Sequence, residues 1–460
     1  MNRNPRVSVI HDPQLRYPGR AHAASMIDPA APLYGAVAEA VASIGLPELV
    51  GLVRPGDRVV IKPNWVSDHH PAGDEHLFGN ITHGAVLAAL ADMAMRRAGP
   101  HGEVVIAEVT TQEAGFRREA ELSGMWAAAG MLAERYGQPL RLLDLRSQIA
   151  RFGPDGLVAG LREAPGIAPD GLMFGDEAGY ALVDLGQSSE HAARETVAGR
   201  LRVTDYSFSQ AMKSAQASET AIHHTSGKHT YCIPRTILAS DVFICVPKFK
   251  THVKAGVTFA LKNLIGINAR KGLIPHRKQG STADGGDEWP TATELAGLDP
   301  RLVSNLDRVR DAADANWFGN DTLWRTIVDL NKILRYGRPD GTLGRVPQRR
   351  YLAVVDGIQG SEGSGPTNGT RRSDGLLIAG TDPVSVDTVA TTVMGFDWRA
   401  FPHIARAYGV SPEVRITDQG PDSITVTGRP DTLLAWHRLR RDQSLAYEAA
   451  PGWITRVELA

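Results

Sequence analysis

The most constraining feature of this chain is a series of short apolar runs, several of which stop at an ionisable residue. Arg58-Val59-Val60-Ile61-Lys62-Pro63 follows a Pro55-Gly56-Asp57 turn, and Val104-Val105-Ile106-Ala107 follows the helix-stopping pair Gly99-Pro100. Leu140–Leu145, Asp241–Pro247, Tyr351–Val355 before Asp356, and Leu376–Ala379 repeat the pattern. Continuous apolar runs carry side chains to both faces of a sheet, so both faces must be covered. Helical patterns separate the early runs. One starts at Thr82, a residue able to cap it, and runs to about Ala98 with Val86, Leu87, Leu90 and Met93 on one side. A second covers about 113–135. Strand–helix–strand alternation of this kind predicts an α/β fold with a mainly parallel, Rossmann-like sheet or sheets and helices on both faces.

At 460 residues the chain divides into a first α/β portion, 1–145, and an insertion or peripheral layer, 146–230. A second α/β portion follows over 231–410, then a strand–helix tail over 411–460. The insertion is rich in Gly, Pro and charge, with weak strand signals at Tyr180–Leu185 and Arg200–Val203. In the second portion the pattern predicts a helix over Val257–Ile265, a long loop over 266–299, and helices over 300–315 and 321–336. Pro383 suits the first turn of a helix reaching Met394. The tail predicts a strand at Ser423–Val426 and a helix near 431–447.

Composition excludes several functions. Lys and Arg number 50 against 51 Asp and Glu, so no long-range field favours nucleic acid. Two cysteines, Cys232 and Cys245, are too few for a disulfide framework, a four-cysteine zinc site or an iron–sulfur cluster. No apolar run approaches membrane-spanning length, and Met1–Asp12 lacks the apolar stretch of a signal peptide. A cytoplasmic protein without a membrane partner is the expectation; the oligomeric state is left open.

The basic residues are unevenly chosen. Arg outnumbers Lys 40 to 10, yet Lys248, Lys250, Lys254, Lys262, Lys271 and Lys278 fall within 31 residues. Lysine is a compact charge whose pKa drops on burial, and it can serve as acid, base or nucleophile. Lys62-Pro63-Asn64 stands at the carboxyl end of a predicted parallel strand, where ligands of open α/β sheets bind. Lys248, Lys250 and His252 alternate after the next such strand, so a persisting strand would set them on one face. Lys262 and Asn263 lie in the apolar helical pattern that follows. These five ionisable residues (Lys62, Lys248, Lys250, His252 and Lys262) are the candidate catalytic set. Asn64, Asn263 and His83 are candidate substrate contacts.

Asp356 opens the run Gly357-Ile358-Gln359-Gly360-Ser361-Glu362-Gly363-Ser364-Gly365-Pro366-Thr367-Asn368-Gly369. Its glycines let backbone approach a ligand, which makes Gly363, Gly365 and Asn368 further candidate contacts. The run lacks the spacing and the Gly-Lys-Ser/Thr ending of a P-loop. A turn here would bring Asp356 and Glu362 to one point, where either nearby lysines or a divalent cation such as Mg²⁺ or Mn²⁺ would neutralise them. Asp382 reads as a helix cap. Two histidine sets, His69, His70, His76 and His83, then His223, His224 and His229, lack the helical two-histidine spacing of a hydrolytic zinc site.

Together these residues resemble the bacterial and archaeal domain-of-unknown-function 362 family. The resemblance rests on Val59–Asn64, Thr82-His83, Val246–His252, Gly256–Gly266, Asp356-Gly357-Ile358, Glu362–Pro366 and Ala379–Asp387, in order across about 55–400. Many members carry a ferredoxin-like cysteine segment; this sequence has none, so no iron–sulfur cluster is implied. Two functions follow from the residues. One is an enzyme acting on a small anionic metabolite, a carboxylate or phosphate, through the Lys/His set. The other is a non-catalytic anion-binding or accessory protein for another system's redox or metal chemistry. Opposed pKa shifts at converging groups would mark the first, solvated cations on an open face the second.

Overall fold

A computed structural model describes residues 6–19, 23–168, 172–192, 200–203, 208–312, 314–429 and 436–460. The main-sheet strands are β1 (Arg6–His11), β2 (Arg58–Lys62), β3 (Glu103–Glu108), β4 (Arg141–Asp144), β5 (Val242–Cys245), β6 (Lys248–His252), β7 (Gly256–Thr258), β8 (Arg350–Glu362), β9 (Leu376–Gly380) and β10 (Thr425–Arg429). The sheet order is β10-β1-β9-β8-β5-β2-β3-β4, extended by Met173–Phe174 and Gly166–Ile167. From β8 to Met173–Phe174 every pairing is parallel. The expected α/β architecture is present, and strands from both predicted portions lie in one sheet, joined where Val59–Lys62 pairs with Val242–Cys245.

Alternation along the strands divides the core. Val59, Ile61, Val104, Ile106, Ile244 and Val354 face one layer, with α1 (Pro32–Ser43), α2 (Gly84–Ala98) and α3 (Met125–Tyr136) packed on it. Val60, Val105, Phe243, Cys245, Ala353 and Val355 face the other, covered by α5 (Leu323–Tyr336) and α6 (Pro383–Met394). This two-sided burial is why the strands read as unbroken apolar runs.

Several elements differ from expectation. The pattern over 113–135 is two helices, Phe116–Leu122 and α3, parted at Gly124, whose φ of 80° no longer fits a helix. The helix predicted over Val257–Ile265 shortens to α4 (Ala260–Asn263) with a 3₁₀ turn after it, because Gly256–Thr258 pairs with β6 instead. The loop 266–299 holds short 3₁₀ turns, a two-residue strand at Arg277–Lys278 and the helix Ala292–Ala296. The insertion contains a helix, Gln210–His223, that its polar composition concealed. His83 rather than Thr82 caps α2, with Nδ1 accepting from the Ala85 N–H. Thr82 instead ties two strand ends, its hydroxyl donating to the Val246 carbonyl and accepting from Asn64 N–H. Of the helix predicted near 431–447, residues 431–435 lie outside the described residues, and 436–443 form 3₁₀ turns. Asp382 is the helix cap expected, accepting from Ser385 N–H.

Candidate functional site

Register places the strand-end residues together. Lys62 pairs with Cys245, Cys245 with Ala353, and Lys248 with Asp356, all at the carboxyl edge of the parallel strands. The side chains then part company, because pairing of β6 with β8 slips between Lys248, opposite Asp356, and Lys250, opposite Ser361.

Lys248 is fully buried, and its Nζ lies 2.9 Å from Oδ2 of Asp356. It also donates to the Tyr17 hydroxyl, 2.6 Å away, which in turn donates to Oδ1 of Asp356 at 2.6 Å. The His83 N–H reaches Oδ2 at 3.0 Å, and the His83 ring stacks on Tyr17 at 4.0 Å between centroids. Burial pulls the Lys248 ammonium down while Asp356 raises it again.

Lys62 forms a second closed pair. Its Nζ is 2.5 Å from Oε1 of Glu108, and it donates to the Pro63 carbonyl and to Asn263 Oδ1. Glu108 also accepts from the Trp65 and Val109 N–H groups, yet burial holds its pKa above the usual carboxylate range. Glu119, buried nearby, is pushed further up by burial and then by Glu108. Asn64 is buried with its Oδ1 unpartnered among the described residues. Lys250 meets carbonyls only, those of Asn80 at 2.5 Å and Pro366 at 3.2 Å, and burial followed by Lys262 and Lys248 drives it well down.

A third set does not close on itself. Among the described residues the Lys262 amine has neither an ion pair nor a hydrogen bond, and its side chain is half-buried. Burial, then Lys62 and Lys254, lower it to about 7. Three imidazoles within its electrostatic reach, His252, His276 and His403, are held in the neutral form by burial and by the surrounding cations. His252 Nδ1 accepts from the Lys254 and Ala255 N–H groups, which leaves Nε2 to carry the proton. His276 donates from Nδ1 to the Ile274 carbonyl, 2.7 Å away, which leaves Nε2 as an acceptor. His403 Nε2 is buried and unpartnered among the described residues. Lys254 is matched by Asp314, at 3.1 Å. The backbone of α4 is itself held by buried Asp387, which accepts from the N–H groups of Ala260 and Leu261. That carboxylate satisfies two of the donors a helix start leaves open, and so sets Lys262 in place.

The glycine-rich run corrects an expectation. β8 continues through Asp356 to Glu362, so the chain does not double back and the two carboxylates take separate partners. Glu362 accepts from Arg372 at 3.0 Å and from the Glu448 N–H. Gly363 and Gly365 serve β6: the Gly363 carbonyl accepts from the Thr251 hydroxyl, and the Gly365 carbonyl from Val253 N–H. Asn368 is exposed. Among the first histidines, His69 pairs with its neighbour Asp68 and His70 with the Gly369 carbonyl. In the insertion His224 and His229 meet His191, ring centroids 5.7–5.9 Å apart. Among the described residues no three His, Cys, Asp or Glu side chains stand at metal-binding geometry.

Sequence reasoning missed Tyr17, Glu108, His276 and His403. Glu108 carried a usable signal, since it ends an apolar run as Lys62 does. The other three have no local pattern.

Parts of this chain are similar to known proteins. Residues 171–392 match the family described as "Domain of unknown function (DUF362)". Over that span, just under half of the chain, this protein is similar to the family. A curated relative, the thylakoid-associated protein sll1697 of Synechocystis sp., is 25% identical over 173 residues, which is 38% of this chain and 38% of that protein. The aligned part therefore spans well under half the relative's length. A crystal structure of a protein from Thermotoga maritima aligns over 76% of this chain and 56% of its own at 10% identity and a TM-score of 0.33. Among the described residues no helix is long and apolar enough to cross a membrane.

Proposed function

We propose that this protein is an enzyme acting on a small anionic metabolite, a carboxylate or phosphate, held at the carboxyl edge of the sheet by Lys262 with His252, His276 and His403. The observation that carries the reading is the Lys262 amine, unmatched among the described residues while Lys62, Lys248 and Lys254 each have a carboxylate. An anion would supply the missing counter-charge. Lys62 and Lys248 then act as supports for the site, and Asp356 and Glu362 as counter-ions to Lys248 and Arg372. A lysine thus faces Asp356 and an arginine faces Glu362. Opposed shifts, with Lys262 and the imidazoles down and Glu108 and Glu119 up, favour catalysis over passive anion binding.

Calorimetry with inorganic phosphate and with pyruvate, on wild type and Lys262→Met, tests the reading. Charge-assisted hydrogen bonds contribute roughly 1.5–3 kcal/mol each, so the variant should bind about tenfold or more weakly while keeping its Tm. Equal affinities, or no binding to wild type, would refute it.

A further inference from the structure

We propose that Lys262 is an amine nucleophile, and that the anion it meets is a small oxo acid whose carbonyl carbon it attacks. The proposal rests on the anion-site reading above and deepens it. A lysine becomes nucleophilic when it is desolvated or set beside other cations without a carboxylate to hold its proton. Lys262 stands on α4, which packs against Gly256–Thr258, the strand paired with that of His252, and against Pro402–Ala405, which carries His403. Lys62 and Lys254 act on it and are themselves closed by Glu108 and Asp314, whereas no acid contacts the Lys262 amine among the described residues. Its lowered pKa, about 7, leaves a substantial neutral fraction at physiological pH.

The neighbouring imidazoles complete the chemistry. Attack by the Lys262 nitrogen forms a C–N bond while the carbonyl π pair moves to oxygen. The nitrogen loses a proton and the oxygen gains one, giving a carbinolamine. The hydroxyl then leaves with a further proton as water while the nitrogen pair closes the C=N bond of a protonated imine, which returns its N–H proton to give the imine. No oxidant or reductant enters, and water reverses the sequence. Each stage needs one group to give a proton and one to take it. His252 presents an Nε2–H donor and His276 an Nε2 acceptor, tautomers dictated by the backbone contacts of their Nδ1 atoms. The carboxylate of an oxo acid would bring negative charge to Lys250 and Lys262, neither of which forms an ion pair among the described residues.

The test incubates the full chain with pyruvate or glyoxylate, adds borohydride, and locates adducts by intact mass and peptide mapping. Calorimetry with inorganic phosphate and pyruvate runs in parallel without borohydride. The expected result is one reduced adduct on Lys262, with a yield that rises as pH passes about 7, and none in Lys262→Arg or Lys262→Met variants of unchanged Tm. Lys262-dependent anion binding with no adduct from either acid would overturn the nucleophile and leave the anion site standing. Neither binding nor adduct would remove both. Adducts spread over surface lysines, equal in wild type and Lys262→Arg, would also overturn it.

Discussion

At Gly266 a Cβ atom would stand 2.4 Å from Oε1 of Glu108 and 2.7 Å from Nζ of Lys62, so only glycine lets this turn close over the pair. Gly266→Ala should destabilise the protein by about 1–3 kcal/mol, as overpacking does, measured by urea unfolding. Asp356 presents the opposite case, a deletion. Its carboxylate is the only acid paired with the buried Lys248 ammonium among the described residues, and it also anchors the His83 N–H. Asp356→Ala strands that charge and should lose about 3–5 kcal/mol, whereas Lys248→Met with Asp356→Leu should recover much of the loss. A double-mutant cycle by denaturant unfolding checks both values. A single variant as stable as wild type would mean that the pair does not support the edge.

Within the peripheral layer, Tyr180–Asp184 pairs with Lys228–Pro234, and buried His191 and His224 lie against His229 of that ribbon. Burial pushes His224 down to about 3, and its Nε2 donates to the Leu273 carbonyl. The folded pKa lies below the unfolded value near 6.5, so between these values the unfolded chain binds more protons. Stability from this group is complete above about 6.5 and is lost as pH falls, by up to about 1.4 kcal/mol per pH unit. His252, His276 and His403 are also lowered and act in the same direction. Between about pH 7.5 and 4.5 the Tm of the wild type should therefore fall relative to that of His224→Gln. Parallel slopes would assign the acid sensitivity to other groups.

Over the whole molecule, one sheet joins strands from distant parts of the sequence. β1 lies between β9 and β10, antiparallel to the first and parallel to the second, and β2 lies beside β5. Strands that share a sheet and two continuous core layers should unfold together. Denaturant curves followed by tryptophan fluorescence and by far-UV dichroism should coincide. The piece 1–145 expressed alone should show no cooperative transition, since β2 would expose the edge that β5 covers. A folded 1–145 piece would contradict this.

Much of the framework was legible because burial on both faces leaves a purely local record. The runs at Val59–Ile61, Val104–Ala107 and Val242–Cys245 announce parallel central strands, and the ionisable residues that end them announce the edge where Lys62, Lys248 and Asp356 gather. The partnership of each charge was not legible. Lys62 and Lys262 look alike in sequence, yet one is closed by Glu108 and the other has no ion pair among the described residues. Tyr17 and His403 come from segments far from the motifs they join, and His276 from the loop that follows one of them. Which charges are matched depends on the register slip at β6, on β8 running straight past Asp356 to Glu362, and on Asp387 holding α4. Local pattern sets which residues reach the edge of the sheet; long-range packing alone decides which of them meet a counter-charge among the described residues.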